Sequence, residues 1–534
     1  MRPNTVAALA LVLLPLACIA QTNAGSPPAS LVGSKPGDPM PPRSWVDKDT
    51  GHRVWRLSDE PNSGGFYFNI NAYTLDNKQM IYTAPDGIHV LDMATRQTKL
   101  LVANPPRDPN APPAGLGGGG VHAIVVGHKT NSIFFTKTDP ATGANAVYKA
   151  DTNTGAVRKL VDLPPHVSIS SVNADETLGA GTYNEADCPG GDPNAPNAFL
   201  AATAGTRRGA EAGAPAGAGA PAAAAGNPDN RVASATQGPH YQPPNKGQMM
   251  EQHLAAHIPV VLFTLRLEPG PNGEKPGTIK MLLHSTDWVN HLLFSPTDPQ
   301  LLMYCHEGPW QKVDRIWMIH TDATHNTLIH KRTMLMEIAG HEFWGLDGET
   351  IWYDWQYPKG EDFYLAGYNL KTGQRTAYHM QRDEWSIHFN LTKELDMFTG
   401  DGGDPGQVAR AKDGEWIELF RPQLIRGDAD AINSPDFWQA GVFHSERLVN
   451  MSHHYYREEP NVRFSPDKSL VIFTSNMFGP SYVFGAETSK AVNPPPADVV
   501  STPELAKRFN PTDPPNSKGP IVPAASPAQP APAQ

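Results

Sequence analysis

A turn followed by a short apolar strand recurs through this chain, and that recurrence limits the folds open to it. Seven copies are legible: TLDNKQMIYTA from Thr74, VGHKTNSIFFTK from Val126, VNADETLGAGTY from Val172, SPTDPQLLMY from Ser295, GLDGETIWYD from Gly345, NLTKELDMFTG from Asn390 and SPDKSLVIFTS from Ser465. Most are followed by a second strand, as in IHVLDMATRQTKLLV and YLAGYNLKTGQRTAYH. The clearest spacings are about 45–53 residues, the period of a β-propeller blade. One four-stranded blade cannot bury its own faces, so the copies must stack around an axis. The fold expected is all-β, a seven-bladed β-propeller over residues 45–490. The strand HRVWRL around Val54 is expected to close the ring against the last blade.

The remaining segments do not fit blades. MRPNTVAALALVLLPLACIAQ has a basic start, an apolar stretch and small residues near Ala20. It is read as a signal peptide over residues 1–20, followed by a linker over 21–44, and it implies a periplasmic or secreted protein. Lipid anchoring at Cys18 is the lesser alternative, since Pro15 suits a lipobox poorly. No later segment is apolar for long enough to span a membrane. Residues 187–257 hold a low-complexity insert, including RGAEAGAPAGAGAPAAAAG, expected to be largely disordered and to end in a short helix at GQMMEQHLAAH. The Pro-rich tail over 491–534 is expected to be extended and disordered.

Charge and cysteine usage narrow the partners. The formal net charge is −11, a poor match to nucleic acid or an anionic membrane. Outside the leader only Cys188 and Cys305 remain. They allow one disulfide or two free thiols, and no disulfide framework. Oligomeric state has no sequence signal.

Histidine marks one register of the repeat. His341 and His388 each lie six residues before an acidic turn residue, Asp347 and Glu394, and His291 lies seven before Asp298. Asn461 lies six before Asp467, and Glu459 is two residues earlier, on the same side of an extended strand. In a propeller the innermost strands line the central channel, so these residues are expected to converge from four consecutive blades. Their nitrogen and oxygen donors suit Mn²⁺, Zn²⁺ or Ca²⁺. Against this stands a plain reading, because a single histidine beside a strand among the 20 in the chain is usually structural. His453 and His454 are alternative ligands or loop residues. CHEGPW, from Cys305 to Trp310, places His306 and Glu307 at a Gly-Pro turn, with Glu307 also suited to capping backbone amides. Arg315 can grip a carboxylate through paired hydrogen bonds, or pair with Asp314. Trp344, beside His341, is the best candidate for stacking on a sugar, although interblade packing suits most of the tryptophans.

CHEGPW, VDRIWMI, GHEFWGLDG, HFNLTKELDMFTGDGGDP and RFSPDKSLVIFTS, in that order, resemble the oligogalacturonate lyase family, and FYFNINAYTLDNKQMIY resembles its first blade. The resemblance implies a divalent metal, typically Mn²⁺, and β-elimination of short oligogalacturonates. It implies that His341 is a metal ligand and His291 the base, with His306 and His388 matching further family histidines. The last blade departs from the family, which carries Gln and His-Pro-His where this chain has Tyr456 and Glu459-Pro460-Asn461. The scheme that follows has His341, Glu459 and Asn461 holding the metal, His291 as base and His306 as donor to the leaving oxygen. Arg315, Trp344 and His388 contact an anionic oligosaccharide. Rival readings are a non-catalytic periplasmic propeller that binds glycan or protein, and a lyase for another uronate glycan. A serine peptidase is disfavoured, because no G-x-S-x-G elbow is present.

Overall fold

The computed structural model describes residues 40–105, 120–139, 142–188, 246–404, 414–427 and 437–514. The expected leader, nearly all of the linker and most of the low-complexity insert lie outside these residues.

Among the described residues the strands form seven blades in chain order. Blade 1 has strands Gln79–Ala84, Gly87–Asp92 and Thr98–Ala103, with Tyr73 bridged to Met80 on the inner side. Blade 2 has Val121–Val126, Ser132–Thr138, Asn145–Asp151 and Val157–Asp162. Blade 3 has Ser168–Val172, Leu178–Asn184, Val260–Arg266 and Ile279–Ser285, so the insert leaves between its second and third strands. Blade 4 has Trp288–Phe294, Leu301–Glu307, Ile316–His320 and Thr327–Leu328. Blade 5 has Ile338–Trp344, Thr350–Gln356, Phe363–Asn369 and Arg375–His379. Blade 6 has Phe389–Leu391, Phe398–Gly400, Trp416–Leu424 and Trp438–Asn450. The last of these is long enough to pair in parallel with Arg375–His379, which joins blades 5 and 6 into one sheet. Blade 7 has Arg463–Phe464, Leu470–Ser475 and Tyr482–Lys490, and His52–Arg56 adds to it antiparallel. This pairing closes the ring.

The residue pattern explains the stacking. Strands such as Leu470–Ser475 and Thr350–Gln356 are buried along almost their whole length rather than on alternate positions. Such runs belong to sheets covered on both faces, here by the neighbouring blades. The acidic markers have a local role. Asp347 accepts from the Glu349 and Thr350 amides and Asp467 from the Ser469 amide, forming side-chain turns. The residue after each acid, Gly348 or Lys468, takes up a positive φ.

The chain stays ordered further into the tail than its proline content suggests. Val499–Val500 pairs in parallel with Ser44–Asp47, and helix Thr502–Phe509 packs Leu505 and Ala506 into the blade 7 cluster. Trp45 Nε1 donates to Thr502 Oγ1 at 2.8 Å. An apolar helix face with a covering partner offsets the ordering entropy that a purely Pro-rich segment could not. The helix expected at the end of the insert is present as Lys246–Ala256, just ahead of the third strand of blade 3. Cys188 and Cys305 are both buried, and neither forms a disulfide among the described residues. No helix among the described residues is long and apolar enough to cross a membrane.

Candidate active site on the propeller axis

The seven inner strands surround one channel. A cavity of about 390 Å³ is lined from every blade, by Asn71, Val125, Ser171, Leu293, Trp344, Leu391 and Phe464 among others. The histidine register precedes these residues in each strand and so occupies the other end. His291, His341 and Asn461 share an unusual backbone, with φ of 48°, 46° and 56°. In blades 4 and 5 the ladder shifts register at this point, between Asn290 and Leu293 and between Gly340 and Phe343. A bulge re-aims one side chain out of the alternating pattern. A left-handed, non-glycine residue is costly and clusters at functional positions. In blades 4 and 5 the sequence spacing is therefore the trace of an inner-strand bulge, whereas His388 lies just before its strand, at Phe389–Leu391.

An entry segment crosses the channel and organises these groups. Arg463, buried, donates to the carbonyls of Phe66, Tyr67 and Ile70. The Phe68 amide donates to Asn461 Oδ1 at 3.1 Å, and Asn69 Nδ2 donates to Glu342 O at 3.0 Å. Phe68 stacks on His388 with ring centroids 4.6 Å apart, and the Tyr67 ring lies 5.1 Å from His388 and 6.1 Å from His291.

Two clusters result. In the first, His291 Nε2 lies 3.0 Å from Glu307 Oε2. Buried Arg315 donates to Glu307 Oε1 at 2.5 Å, approaches Glu342 at 3.7 Å and lies 4.3 Å over the Trp310 ring. An ionised carboxylate only accepts, so His291 carries its proton on Nε2 and leaves the Nδ1 lone pair available. Trp310 also packs against His341, with centroids 4.7 Å apart. It can do so because residue 340 is glycine: a Cβ there would meet the Trp310 ring at 2.7 Å.

In the second, fully buried His388 places Nδ1 2.8 Å from Asp401 Oδ2 and Nε2 3.6 Å from Glu459 Oε2. His341 lies alongside, its ring 4.9 Å from that of His388 and its Nδ1 3.4 Å from Asp354. Burial pushes the Asp354 carboxyl up to about 7, against the pull of Arg315 and His388.

The sequence-selected residues are thus only partly gathered. His291, His341, His388, Glu459 and Arg315 belong to this network. Asn461 also belongs, but its amide is committed, Oδ1 to the Phe68 amide and Nδ2 to Glu459 O at 2.8 Å. His306 sits on the opposite face of its strand from Glu307, as alternation requires. It stacks on Trp317 at 4.9 Å and lies 3.5 Å from Asp287, and burial lowers its pKa. Trp344 is buried between blades 4 and 5 and donates to Leu293 O at 3.0 Å. His454 is committed to Ser475 Oγ and Glu458 O, and His453 to Asn510 O. Sequence reasoning passed over Tyr67, Phe68, Glu307, Trp310, Asp354 and Asp401 as site residues. The motifs FYFNIN, CHEGPW and TGDGGDP held five of them in view.

Arg315 meets Glu307 and Glu342, and His388 meets Asp401 and Glu459. Imidazole and carboxylate donors of this kind suit a divalent cation. Asp401 orients His388 as carboxylates orient metal-ligating imidazoles. Among the described residues no three His, Cys, Asp or Glu side chains are gathered tightly enough to chelate an ion unaided. His388 and Glu459 form the closest seat.

Residues 273–492 match the oligogalacturonate lyase family model, a span that carries every axial histidine. The chain is 25% identical over 222 residues to an oligogalacturonide lyase of Pectobacterium atrosepticum and 32% identical over 226 residues to an oligogalacturonate lyase of Dickeya dadantii. These alignments take in 40% and 41% of this chain, and the chain spans about half of each relative, 54% in both cases. Among solved structures, an oligogalacturonate lyase from Vibrio parahaemolyticus superposes with a TM-score of 0.54 at 17% identity, covering 84% of this chain and 96% of that one. An oligogalacturonate lyase in complex with manganese gives 0.53 at 19% identity with the same coverage. These two likenesses establish the propeller fold. Taken with the family match over residues 273–492, which takes in the inner strands of blades 4 to 7, they make this chain similar to the oligogalacturonate lyases.

Proposed function

We propose that this protein cleaves uronate-containing oligosaccharides by β-elimination, with His291 as base. The observation that carries the reading is the chain of contacts Arg315–Glu307–His291. It fixes the imidazole tautomer, frees Nδ1 and places a carboxylate to stabilise the imidazolium that forms. This is the logic by which an acid orients the base of a catalytic triad.

Elimination requires that the C5 proton be acidified, removed, and followed by departure of the 4-linked oxygen. His291 Nδ1 removes the proton, and general base catalysis is worth roughly 10²–10⁴-fold. Glu307 accepts the Nε2 proton throughout and holds the ring. Arg315, stacked on Trp310, keeps Glu307 ionised and its geometry fixed. His388 and Glu459, with His341 beside them, are the groups that would hold a divalent ion. Such an ion supplies Lewis-acid neutralisation of the substrate carboxylate. Asp401 sets the His388 tautomer, and Asn461 locks the entry segment.

Glu459-Pro460-Asn461 replaces the expected histidines, so the reading is framed for uronates in general, with oligogalacturonate as the family's substrate. In this proposal the leader-like start places the activity outside the cytoplasm. The test is a panel of uronate oligosaccharides with Mn²⁺ or Ca²⁺, followed by ultraviolet absorbance of the unsaturated product. Glycan binding without product formation would favour the non-catalytic alternative.

A further inference from the structure

We infer that Tyr67 is the proton donor to the departing oxygen, an assignment that rests on the β-elimination reading above. Sequence reasoning assigns this role to His306, but His306 faces Asp287 and Trp317 on the other side of its strand. Of the groups in the axial cluster, His388 is fully buried and Glu307 and Glu459 nearly so. His291, Tyr67 and His341 are the partly buried ones that carry a transferable proton or lone pair, and His341, with 8% of its side chain exposed, is turned to Asp354. His291 and Tyr67 lie side by side, with ring centroids 6.1 Å apart and inclined by 30°. This spacing leaves two proton-transfer groups to serve neighbouring atoms of one sugar.

Tyr67 is also held rigidly. Its carbonyl accepts from Arg463 at 3.0 Å and from the Ile70 amide at 2.9 Å. The next residue, Phe68, is fixed by Asn461 through its amide and by His388 through its ring. Placement of this kind is what lets a general acid act without reorganisation. The motif FYFNIN thus does more than thread the channel.

His291 Nδ1 forms a bond to the C5 proton. The C5–H electrons become the C4–C5 double bond. The C4–O4 bond breaks and its electrons leave with O4, which takes the Tyr67 hydroxyl proton. The phenolate regains a proton from water, and the imidazolium releases one.

The experiment compares wild type, Tyr67→Phe and His291→Ala as full chains with Mn²⁺ and a uronate oligosaccharide in deuterated water. Two quantities are read: unsaturated product and deuterium incorporated at C5 of unreacted substrate. Tyr67→Phe is expected to lose about 10²–10⁴-fold in elimination while still exchanging C5 hydrogen. His291→Ala is expected to lose both. Tyr67→His, which keeps a ring and a donor, should recover part of the elimination. Elimination by Tyr67→Phe within about threefold of wild type would overturn the assignment. So would loss of exchange together with elimination at an unchanged thermal midpoint, or a Tyr67→His variant no better than Tyr67→Phe. A wild-type protein that neither exchanges nor eliminates overturns the lyase reading itself.

Discussion

Glu307→Gln tests the coupling between base and scaffold. The substitution keeps the side-chain shape and removes the charge at 3.0 Å from His291 Nε2 and 2.5 Å from Arg315. A hydrogen bond to a charged group is worth about 1.5–3 kcal/mol. Losing that stabilisation of the forming imidazolium should lower kcat about 10- to 150-fold, at about 1.36 kcal/mol per decade. KM should change little, because Glu307 is buried behind the base. Stability should fall as well. Breaking a buried ion pair costs about 3–5 kcal/mol, and the lower end applies because Glu342 still faces Arg315 at 3.7 Å. Steady-state kinetics and urea unfolding of the same preparations read both effects. Adding Arg315→Met should lower stability further, because it leaves buried Glu342 without its cation, and should not recover kcat. Unchanged kcat in folded Glu307→Gln would refute the tautomer argument and return His291 to the status of an ordinary channel residue.

Three further outcomes follow from the geometry. Burial pushes the His454 imidazole down to about 4 from its ordinary 6.5. The unfolded chain therefore binds the extra proton first, and stability present above pH 6.5 is lost as pH falls towards 4, by about 3 kcal/mol in all. His454→Gln should flatten that part of the pH–stability curve. Asp401→Asn should weaken Mn²⁺ binding about 10- to 100-fold through His388 orientation, measured by calorimetry. Trp344→Ala should cost about 3–5 kcal/mol in unfolding free energy, with KM for oligosaccharide nearly unchanged, because the ring packs between blades.

The fold was legible because its signal is repetitive and local. The acidic turn residues are side-chain turn formers, and the strands after them are apolar on both faces. Both features depend on residues close in sequence. The histidine register was legible for a related reason, since in blades 4 and 5 it reports a bulge at the same place in the inner strand. What sequence spacing could not supply was sidedness and partnership. His306 and Glu307 are adjacent, yet alternation sends one to Trp317 and the other to Arg315 and His291. Asn461 sits at the right register, but a segment nearly 400 residues earlier claims its amide. Trp344 adjoins His341 in sequence and packs into a different cluster. Tyr67 and Phe68 precede the first repeat and are held at the axis by Arg463, which gathers the Phe66, Tyr67 and Ile70 carbonyls, and by Asn461, which accepts from the Phe68 amide. Such contacts are long-range, and no local pattern encodes them.

The central claim is that His291 abstracts a proton from a uronate held on the propeller axis. The most direct measurement is formation of unsaturated uronate product by wild type and His291→Ala, with Mn²⁺ and oligogalacturonate in parallel with other uronate oligosaccharides. The account predicts product from at least one substrate with wild type, and a loss of at least about 10²-fold with His291→Ala at an unchanged thermal midpoint. Absence of product from every uronate, or a His291→Ala protein as active as wild type, would contradict it.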